Sequence, residues 1–140
     1  MICLDASLVL SWLLPEDLSM KAFELRSAWD SAREQFVAPA LLRLEVPSSL
    51  RLATYRGRVT RDESDEALAA FLDMEIRIVE PRGLLAEAWE LGEKLNAPRL
   101  YDFFYVALAR LQGCELWTAD QRLVNFAASR CPWVKWIGSV

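Results

Sequence analysis

Short apolar runs of strand-like sequence alternate with longer segments of helical periodicity along this chain of 140 residues. The strand-like runs are Ile2–Leu4, Phe36–Ala38, Ile76–Val79, Glu115–Thr118 and Trp133–Ile137. Strands that alternate with helices predict a parallel sheet with helices on both faces, which is a three-layer α/β sandwich. The runs at 2–4 and 115–118 show little polar alternation, as expected of strands buried on both faces.

The helical segments lie between these runs. They extend from about Asp17 to Glu34, onward from Leu41, onward from Thr60, from about Gly83 to Leu95, and from Asp102 to Gln112. Thr60 and Glu63 have the spacing of a capping box, which predicts a helix start at Thr60. The sequence shows no internal repeat, low-complexity stretch or linker, so residues 1–140 are predicted to form one domain.

The composition excludes several classes of protein. The net charge is −4 and the sequence pI is about 4.9, so the chain lacks the overall basic character of many nucleic-acid-binding domains. An activity on RNA or DNA would therefore depend on local arginines and bound metal. The chain contains no histidine, which excludes histidine-based nucleophilic triads and most zinc sites.

Cysteine usage and apolar content bear on the compartment and on partners. The three cysteines, Cys3, Cys114 and Cys131, show no CxxC spacing, so neither a disulfide framework nor a zinc site is expected. No apolar run approaches the roughly 18 residues of a membrane span, and no signal-like segment opens the chain. We therefore expect a cytoplasmic protein without a membrane partner. The 54% apolar content favours a surface for a partner or a second copy.

Two aspartates stand where strand-like runs end. Asp5 follows Ile2–Leu4, and Asp120 follows Glu115–Thr118 by two residues. Open α/β sheets bind ligands outside the carboxyl ends of their strands, so both residues are candidates for a functional site. Each also precedes a possible helix, and aspartate is a favoured N-cap residue, so capping remains an equal alternative for either one.

Two further acids lie on helical segments. Glu45 shares one predicted face with small and apolar residues, namely Leu41, Ser48, Ser49 and Leu52. Asp102 shares a predicted inward face with Tyr105, Val106 and Ala109, although capping is again an alternative. An ionised acid on an inward face is costly unless something pairs with it.

Convergence of the four acids would create a site for a hard cation. Carboxylates that lie within a few ångströms of one another raise each other's pKa values, and no lysine cluster is available to neutralise them. Mg²⁺ or Mn²⁺ suits oxygen ligands and supports phosphodiester hydrolysis. Ser7 and Thr118 each lie two residues from an aspartate and could add hydroxyl contacts to water or metal. Ordinary capping or loop hydrogen bonds are the alternative role for both.

Four short motifs in order resemble the PIN-domain family, and in particular the ribonuclease toxins of VapBC toxin–antitoxin pairs. The motifs are LDAS at 4–7, LEV at 44–46, YDFFYVALA at 101–109 and TAD at 118–120. The resemblance implies a five-stranded parallel sheet flanked by helices and a metal-dependent endoribonuclease activity on RNA. It also implies a homodimer and a cognate antitoxin that covers the site. The acidic ligands of Mg²⁺ or Mn²⁺, and the catalytic residues, would be Asp5, Glu45, Asp102 and Asp120.

The stretch after Glu45 departs from the family pattern. Ser48 stands where an asparagine is usual, and Pro47 falls inside the predicted helix. Proline removes a backbone donor and crowds the carbonyl four residues earlier, so a kink is predicted near residues 43–47. The aim of the Glu45 side chain depends on that kink.

A short basic run covers residues 51–61 in this otherwise acidic chain. Arg56 and Arg58 lie within it, and Arg99 lies shortly before Asp102; all three are candidate contacts for an RNA backbone. Tyr55 is a candidate for stacking on an unpaired base. The alternative is a solvated helix end that the acidic residues from Asp62 onward balance.

Other functional classes fit the residues less well. An aspartyl-phosphate phosphohydrolase would need a second acid two residues after Asp5, where Ser7 stands, and a receiver domain would need paired acids after the first strand. The remaining alternative is a catalytically silent PIN-like module that binds a protein partner or RNA.

Overall fold

The computed structural model describes all 140 residues and contains one sheet of five parallel strands. The strand order is β3-β2-β1-β4-β5, which places β1 and β4 side by side near the centre. The strands are β1 (Ile2–Leu4), β2 (Phe36–Ala38), β3 (Ile76–Ile78), β4 (Glu115–Thr118) and β5 (Val134–Trp136). The predicted α/β class with a five-stranded parallel sheet is confirmed.

Seven α-helices flank this sheet, and a short 3₁₀ turn at Ile137–Ser139 follows β5. The helices are α1 (Ala6–Leu13), α2 (Ser19–Ser31), α3 (Leu42–Tyr55), α4 (Arg61–Leu72), α5 (Leu84–Lys94), α6 (Tyr101–Gln112) and α7 (Gln121–Ala127). Helix α1 contacts α2, α3 and α4, whereas α5 packs against α6, and α6 contacts β1 and β4.

The core is one cluster of 34 buried apolar residues. All of β1 is buried, which confirms the expectation drawn from its unbroken apolar run. Strand β4 matches that expectation only in part, because Glu115 is exposed and Trp117 is partly exposed. Helix α6 is buried continuously over Tyr105–Ala109, because it is covered by the sheet on one side and by α5 on another. This burial fixes α6, and with it Asp102, against the central strands.

Most element boundaries fall close to those predicted, and the differences have local causes. Strand β5 ends at Trp136 because Ile137 already begins the 3₁₀ turn. The segment predicted from Asp17 forms a helix only from Ser19, whose hydroxyl accepts from the backbone N–H of Glu16 at 2.9 Å and donates to the carbonyl of Leu14 at 3.0 Å. The cap at Thr60 is confirmed, since its hydroxyl accepts from the Glu63 N–H at 3.1 Å.

The structure describes the state of the cysteines and the length of the helices. All three cysteines are free thiols, and Cys3 is fully buried in β1. None of the helices combines the length and the apolar character that crossing a membrane would require.

Candidate active site

The chain reverses its direction of strand addition between β1 and β4. It proceeds from β1 outward to β2 and β3 on one side, and from β4 outward to β5 on the other. Such a topological switch point opens a crevice at the carboxyl ends of the two strands. Asp5 directly follows β1 and Asp120 follows β4 by two residues, so the strand order brings both to this crevice.

Asp5 is a buried carboxylate with a full set of donors. Its residue is 5% exposed, and one carboxylate oxygen accepts the N–H of Leu8 at 2.9 Å. The hydroxyl of Thr118 donates to its other oxygen, and the hydroxyl of Ser7 lies 2.8 and 3.0 Å from the two oxygens. Asp5 is also the N-cap of α1. Asp5 therefore caps helix α1, as the alternative predicted, and also lies in the crevice.

Ser7 and Thr118 join the loops that follow β1 and β4. Their hydroxyl oxygens lie 3.0 Å apart. The Ser7 oxygen accepts the N–H of Ala119 at 3.0 Å, and the Thr118 oxygen accepts the N–H of Asp120 at 2.9 Å. Both hydroxyls thus orient the Asp5 carboxylate and the backbone around it, which is the loop hydrogen-bonding role that the sequence left open.

Glu45 reaches the same crevice from α3. The Tyr105 hydroxyl of α6 donates to a carboxylate oxygen of Glu45, so a bond between side chains 60 residues apart fixes its direction. The predicted inward face of α3, which included Glu45, was wrong: the buried face is displaced by one residue along the helix. The core-facing residues of α3 are Leu42, Val46 and Leu50, and Glu45 is only partly buried on the wall of the crevice.

Asp102 and Asp120 complete the acidic group. Asp102 lies in the first turn of α6, whose N-cap is Leu100 without a side-chain hydrogen bond, so Asp102 does not cap the helix. It is exposed at the rim, which corrects the predicted inward position, because the buried face of α6 begins one residue later at Phe103. Asp120 is the N-cap of α7 and accepts the N–H of Arg122 at 2.9 Å.

A cavity of about 320 Å³ collects these side chains. It is lined by all four predicted acids together with Ser7 and Tyr105, among others. The structure therefore brings together Asp5, Glu45, Asp102 and Asp120, which lie far apart in the sequence.

The electrostatics of the cavity favour partial neutralisation. Burial raises the pKa of Asp5 to about 6, against hydrogen bonds from Thr118, Leu8 and Ser7 that lower it. Burial also raises the pKa values of Glu45 and Asp102, with smaller upward effects from neighbouring carboxylates. A proton or a cation would relieve these charges.

The donor set fits a hard divalent cation that keeps part of its water shell. No group of three or more acidic or cysteine side chains is arranged as a ready-made metal site. Mg²⁺ usually retains several waters and binds through one or two carboxylates, so the acids of the cavity suit it with some contacts made through water. The oxygen-only lining does not suit softer metals.

The predicted arginine contacts fall into two groups. Arg56 and Arg58 line a cavity of about 200 Å³ that shares Leu10 and Ser49 with the acidic cavity. Arg58 also lies 3.4 Å from a carboxylate oxygen of Glu16. Arg99 is exposed in the connection before α6 and does not line the acidic cavity. Tyr55 is 81% exposed at the end of α3.

Sequence reasoning missed Tyr105 as a functional residue. The sequence places it beside Asp102 on one helix face, but in the structure it is 1% exposed and its hydroxyl donates to Glu45. The available signal was a tyrosine at i+3 from an acid on a buried face, because a buried tyrosine hydroxyl usually needs a hydrogen-bond partner.

Comparison with known proteins identifies the family of this chain. The family model of the PIN domain matches residues 2–129. VapC ribonuclease Mb0985 of Mycobacterium bovis is 32% identical over 132 residues, which cover 94% of this chain and 95% of that protein. Ribonuclease VapC9 of Mycobacterium tuberculosis shows the same identity and coverage.

Solved structures share the fold at low sequence identity. A toxin–antitoxin complex from Klebsiella pneumoniae aligns with a TM-score of 0.68 at 15% identity, over 96% of both chains. Mycobacterium tuberculosis VapC20, a toxin that cleaves the sarcin–ricin loop, aligns with a TM-score of 0.64 at 17% identity, over 94% of this chain and 96% of that one. The family match over nearly the whole sequence and the VapC relatives together show that the chain belongs to the PIN domain family, within its VapC group.

Proposed function

We propose that this protein is a metal-dependent endoribonuclease and the toxin of a type II toxin–antitoxin pair. The observation that carries the proposal is the cavity at the β1–β4 switch point, which is lined by Asp5, Glu45, Asp102 and Asp120. The relatives that match over 94% of the chain are named ribonucleases, which supports RNA as the substrate.

The four acids are assigned as both the metal-binding and the catalytic residues. Mg²⁺ or Mn²⁺, when bound, would supply charge neutralisation at the phosphate and lower the pKa of a coordinated water. Asp5 is pre-positioned by its hydrogen bonds from Thr118, Ser7 and Leu8, so its oxygens need no reordering. Glu45 is held by Tyr105 on the opposite wall, and Asp102 and Asp120 present carboxylates at the open rim.

Partners and surroundings follow from the same proposal. The structural relatives include toxin–antitoxin complexes, which supports a cognate antitoxin as the partner. Large apolar side chains exposed on the helices, such as Leu72 and Trp89, support a further interface, which we assign to a homodimer. An RNA substrate and three free cysteines support a reducing cytoplasm. The cavity lined by Arg56 and Arg58 adjoins the acidic cavity, which supports both arginines as contacts for the RNA backbone.

The test is RNA cleavage by the purified chain, free of any co-expressed partner. We expect discrete fragments with Mn²⁺ or Mg²⁺, none with chelator, and none with Asp5→Asn or Asp102→Asn. Removing a metal-binding carboxylate should lower the rate by at least about a hundredfold, because the charge of the site is what holds the cation.

A matched control is Glu93→Gln, which removes an exposed carboxylate from α5. It should cut like the unaltered chain. Intact RNA under every condition, with Asp5→Asn binding Mn²⁺ as weakly as the unaltered chain does, would identify a silent PIN-like module instead.

A further inference from the structure

A second, larger cavity adjoins the acidic one. Its volume is about 550 Å³, and it shares Ser7, Leu10 and Asp120 with the acidic cavity. Small-molecule sites in proteins occupy roughly 300–1,000 Å³, so this space suits a nucleobase with part of its sugar. A nucleotide next to a phosphate bound at the acids would therefore reach it without crossing a wall of the protein.

Trp136 forms part of the lining of this second cavity, and packing holds its ring in place. A Cβ built on Gly138 would lie 2.2–2.6 Å from atoms of the indole, so the ring rests directly on the glycine backbone. Lys21 of α2 fixes that backbone, since its ammonium donates to the carbonyl of Gly138 at 3.0 Å and to that of Val140 at 2.7 Å.

The Trp136 ring differs from the rings of Trp12 and Trp133 in the state of its indole N–H. The indole N–H groups of Trp12 and Trp133 donate to backbone carbonyls, at 2.8 and 3.0 Å. The buried N–H of Trp136 has no partner. The ring is therefore held by its close contact with Gly138 and not by a hydrogen bond. A partly exposed aromatic ring that lines a cavity is the usual platform on which proteins stack an unpaired base.

The polar side chains of the cavity are suited to one base in particular. Asp17 is exposed and makes no ion pair or side-chain hydrogen bond, and the Glu16 side chain has only the 3.4 Å contact with Arg58. An ionised carboxylate only accepts hydrogen bonds. Guanine presents two adjacent N–H donors on its Watson–Crick edge, whereas adenine, cytosine and uracil each present donors next to acceptors, so a carboxylate favours guanine.

We propose that this cavity is a guanine-selective subsite for the nucleotide beside the scissile phosphate. Trp136 stacks on the base and Asp17 accepts from its Watson–Crick edge, with Glu16 as a second acceptor. Arg122, whose side chain is 93% exposed at the same cavity, contacts the adjoining phosphate. The inference rests on the proposed ribonuclease function, because it takes RNA to be the ligand.

Binding is measured separately from cleavage. The full-length Asp102→Asn variant is titrated, in Mg²⁺ at low salt, against fluorescein-labelled uridine heptamers that carry G, A, C or U at the centre. Fluorescence anisotropy should show the G heptamer binding about tenfold more tightly than the other three. Adding Asp17→Asn should reduce that preference to below about threefold, because the amide presents a donor beside its acceptor.

Stacking is tested in the same background. Trp136→Ala should weaken binding of the G heptamer by about tenfold, and Trp136→Phe, which keeps an aromatic face, should retain most of the affinity. Phe23→Ala is the matched control on α2, since Phe23 is 54% exposed and does not line this cavity. Asp73→Asn serves as the charge control, because Asp73 lies before β3, at the opposite end of the sheet.

The outcomes separate this inference from the proposed function. Equal affinity for the four heptamers, or a guanine preference that survives Asp17→Asn, would overturn the subsite. Guanine-selective binding by a chain that never cleaves RNA would contradict the nuclease and keep the subsite. Metal-dependent cleavage without guanine selectivity would support the nuclease and overturn the subsite.

Discussion

Tyr105 lies outside the acidic set but fixes the direction of one of its members, Glu45. The carboxylate of Glu45 is partly buried, and the Tyr105 hydroxyl is its hydrogen-bond donor across the crevice. That bond lowers the pKa of Glu45, in opposition to the larger effect of burial, which raises it. Tyr105 therefore helps keep Glu45 both aimed and ionised.

Tyr105→Phe should lower Mn²⁺ affinity or cleavage by about tenfold to a hundredfold, the usual effect of losing a partner that orients a metal ligand. Without the hydrogen bond the pKa of Glu45 should rise further. The acid limb of the pH–rate profile should then move to higher pH, which a purely structural role would not cause. Cleavage rates measured from pH 5 to 8 test this.

The matched control is Tyr101→Phe on the same helix, where the ring is 57% exposed. It should leave both the rate and the profile unchanged. A Tyr105→Phe variant with an unchanged acid limb would show that the hydroxyl does not act through Glu45.

Individual residues also mark how far sequence reasoning reaches. Asp5 and Asp120 could be located because the ends of apolar runs are visible in the sequence. The hydrogen bonds by which Ser7 and Thr118 hold Asp5 could not be predicted. They join the loops after β1 and β4, more than 100 residues apart, and depend on β4 being the neighbour of β1. Hydrogen bonds across a sheet require the strand order, which hydrophobic patterns do not specify.

At the scale of elements, helix α3 contains an internal proline, and its inward-facing side differs from the predicted one. Pro47 is the sixth residue of a helix that continues unbroken over Leu42–Tyr55. The carbonyl of Arg43 has no N–H four residues later to accept, as the sequence predicted. The predicted kink itself stays a prediction. The face was misjudged because the small Ser48 and Ser49 suggested close packing, whereas they line the open crevice.

Pro47→Ala should stabilise the protein by about 1–2 kcal/mol. The alanine restores one helical hydrogen bond and removes a steric clash, and these gains exceed the roughly 0.4–1 kcal/mol lost by loosening the unfolded chain. If the kink aims Glu45, cleavage should fall while stability rises. Urea denaturation and RNA cleavage on the same preparation measure both.

Ser48→Ala is the comparison variant one residue away, because it leaves the backbone hydrogen bonds of α3 intact. It should change stability by less than about 0.5 kcal/mol. Pro47→Ala with unaltered or reduced stability would mean that the helix already accommodates the proline without strain.

At the scale of the whole molecule, the strand order determines both the architecture of the sheet and the position of the site. Alternation of strands and helices predicted a parallel sheet with covered faces, and this was confirmed. The order β3-β2-β1-β4-β5 then places the switch point between the two strands that end in acids. The resemblance to the PIN family predicted that the four acids converge. Local sequence patterns alone did not decide whether they do. A helix was expected after Asp5 and after Asp120, but the bounds 6–13 and 121–127 could not be predicted, because short helices carry little periodicity.

The acidic cavity should make the metal-free protein more stable at pH 5 than at pH 7.5. The pKa of Asp5 rises from 3.8 to about 6 on folding, chiefly through burial. Between those values the folded state binds the proton more tightly than the unfolded state, so the free energy of unfolding falls as pH rises. The full shift corresponds to roughly 3 kcal/mol for Asp5, of which roughly 1.4 kcal/mol is lost between pH 5 and pH 7.5. Glu45 and Asp102 act in the same direction.

Thermal or urea unfolding in chelator at the two pH values measures this difference, and Asp5→Asn provides the control. The variant cannot ionise at residue 5, so its stability should depend less on pH and should exceed that of the unaltered chain at pH 7.5. Equal or greater stability of the unaltered chain at pH 7.5 would contradict the argument. Mn²⁺ should restore stability chiefly at pH 7.5, because protons compete with the cation for the same carboxylates at pH 5. Burial of Asp5 thus lowers the stability of the metal-free fold under the conditions in which the proposed nuclease binds its cation.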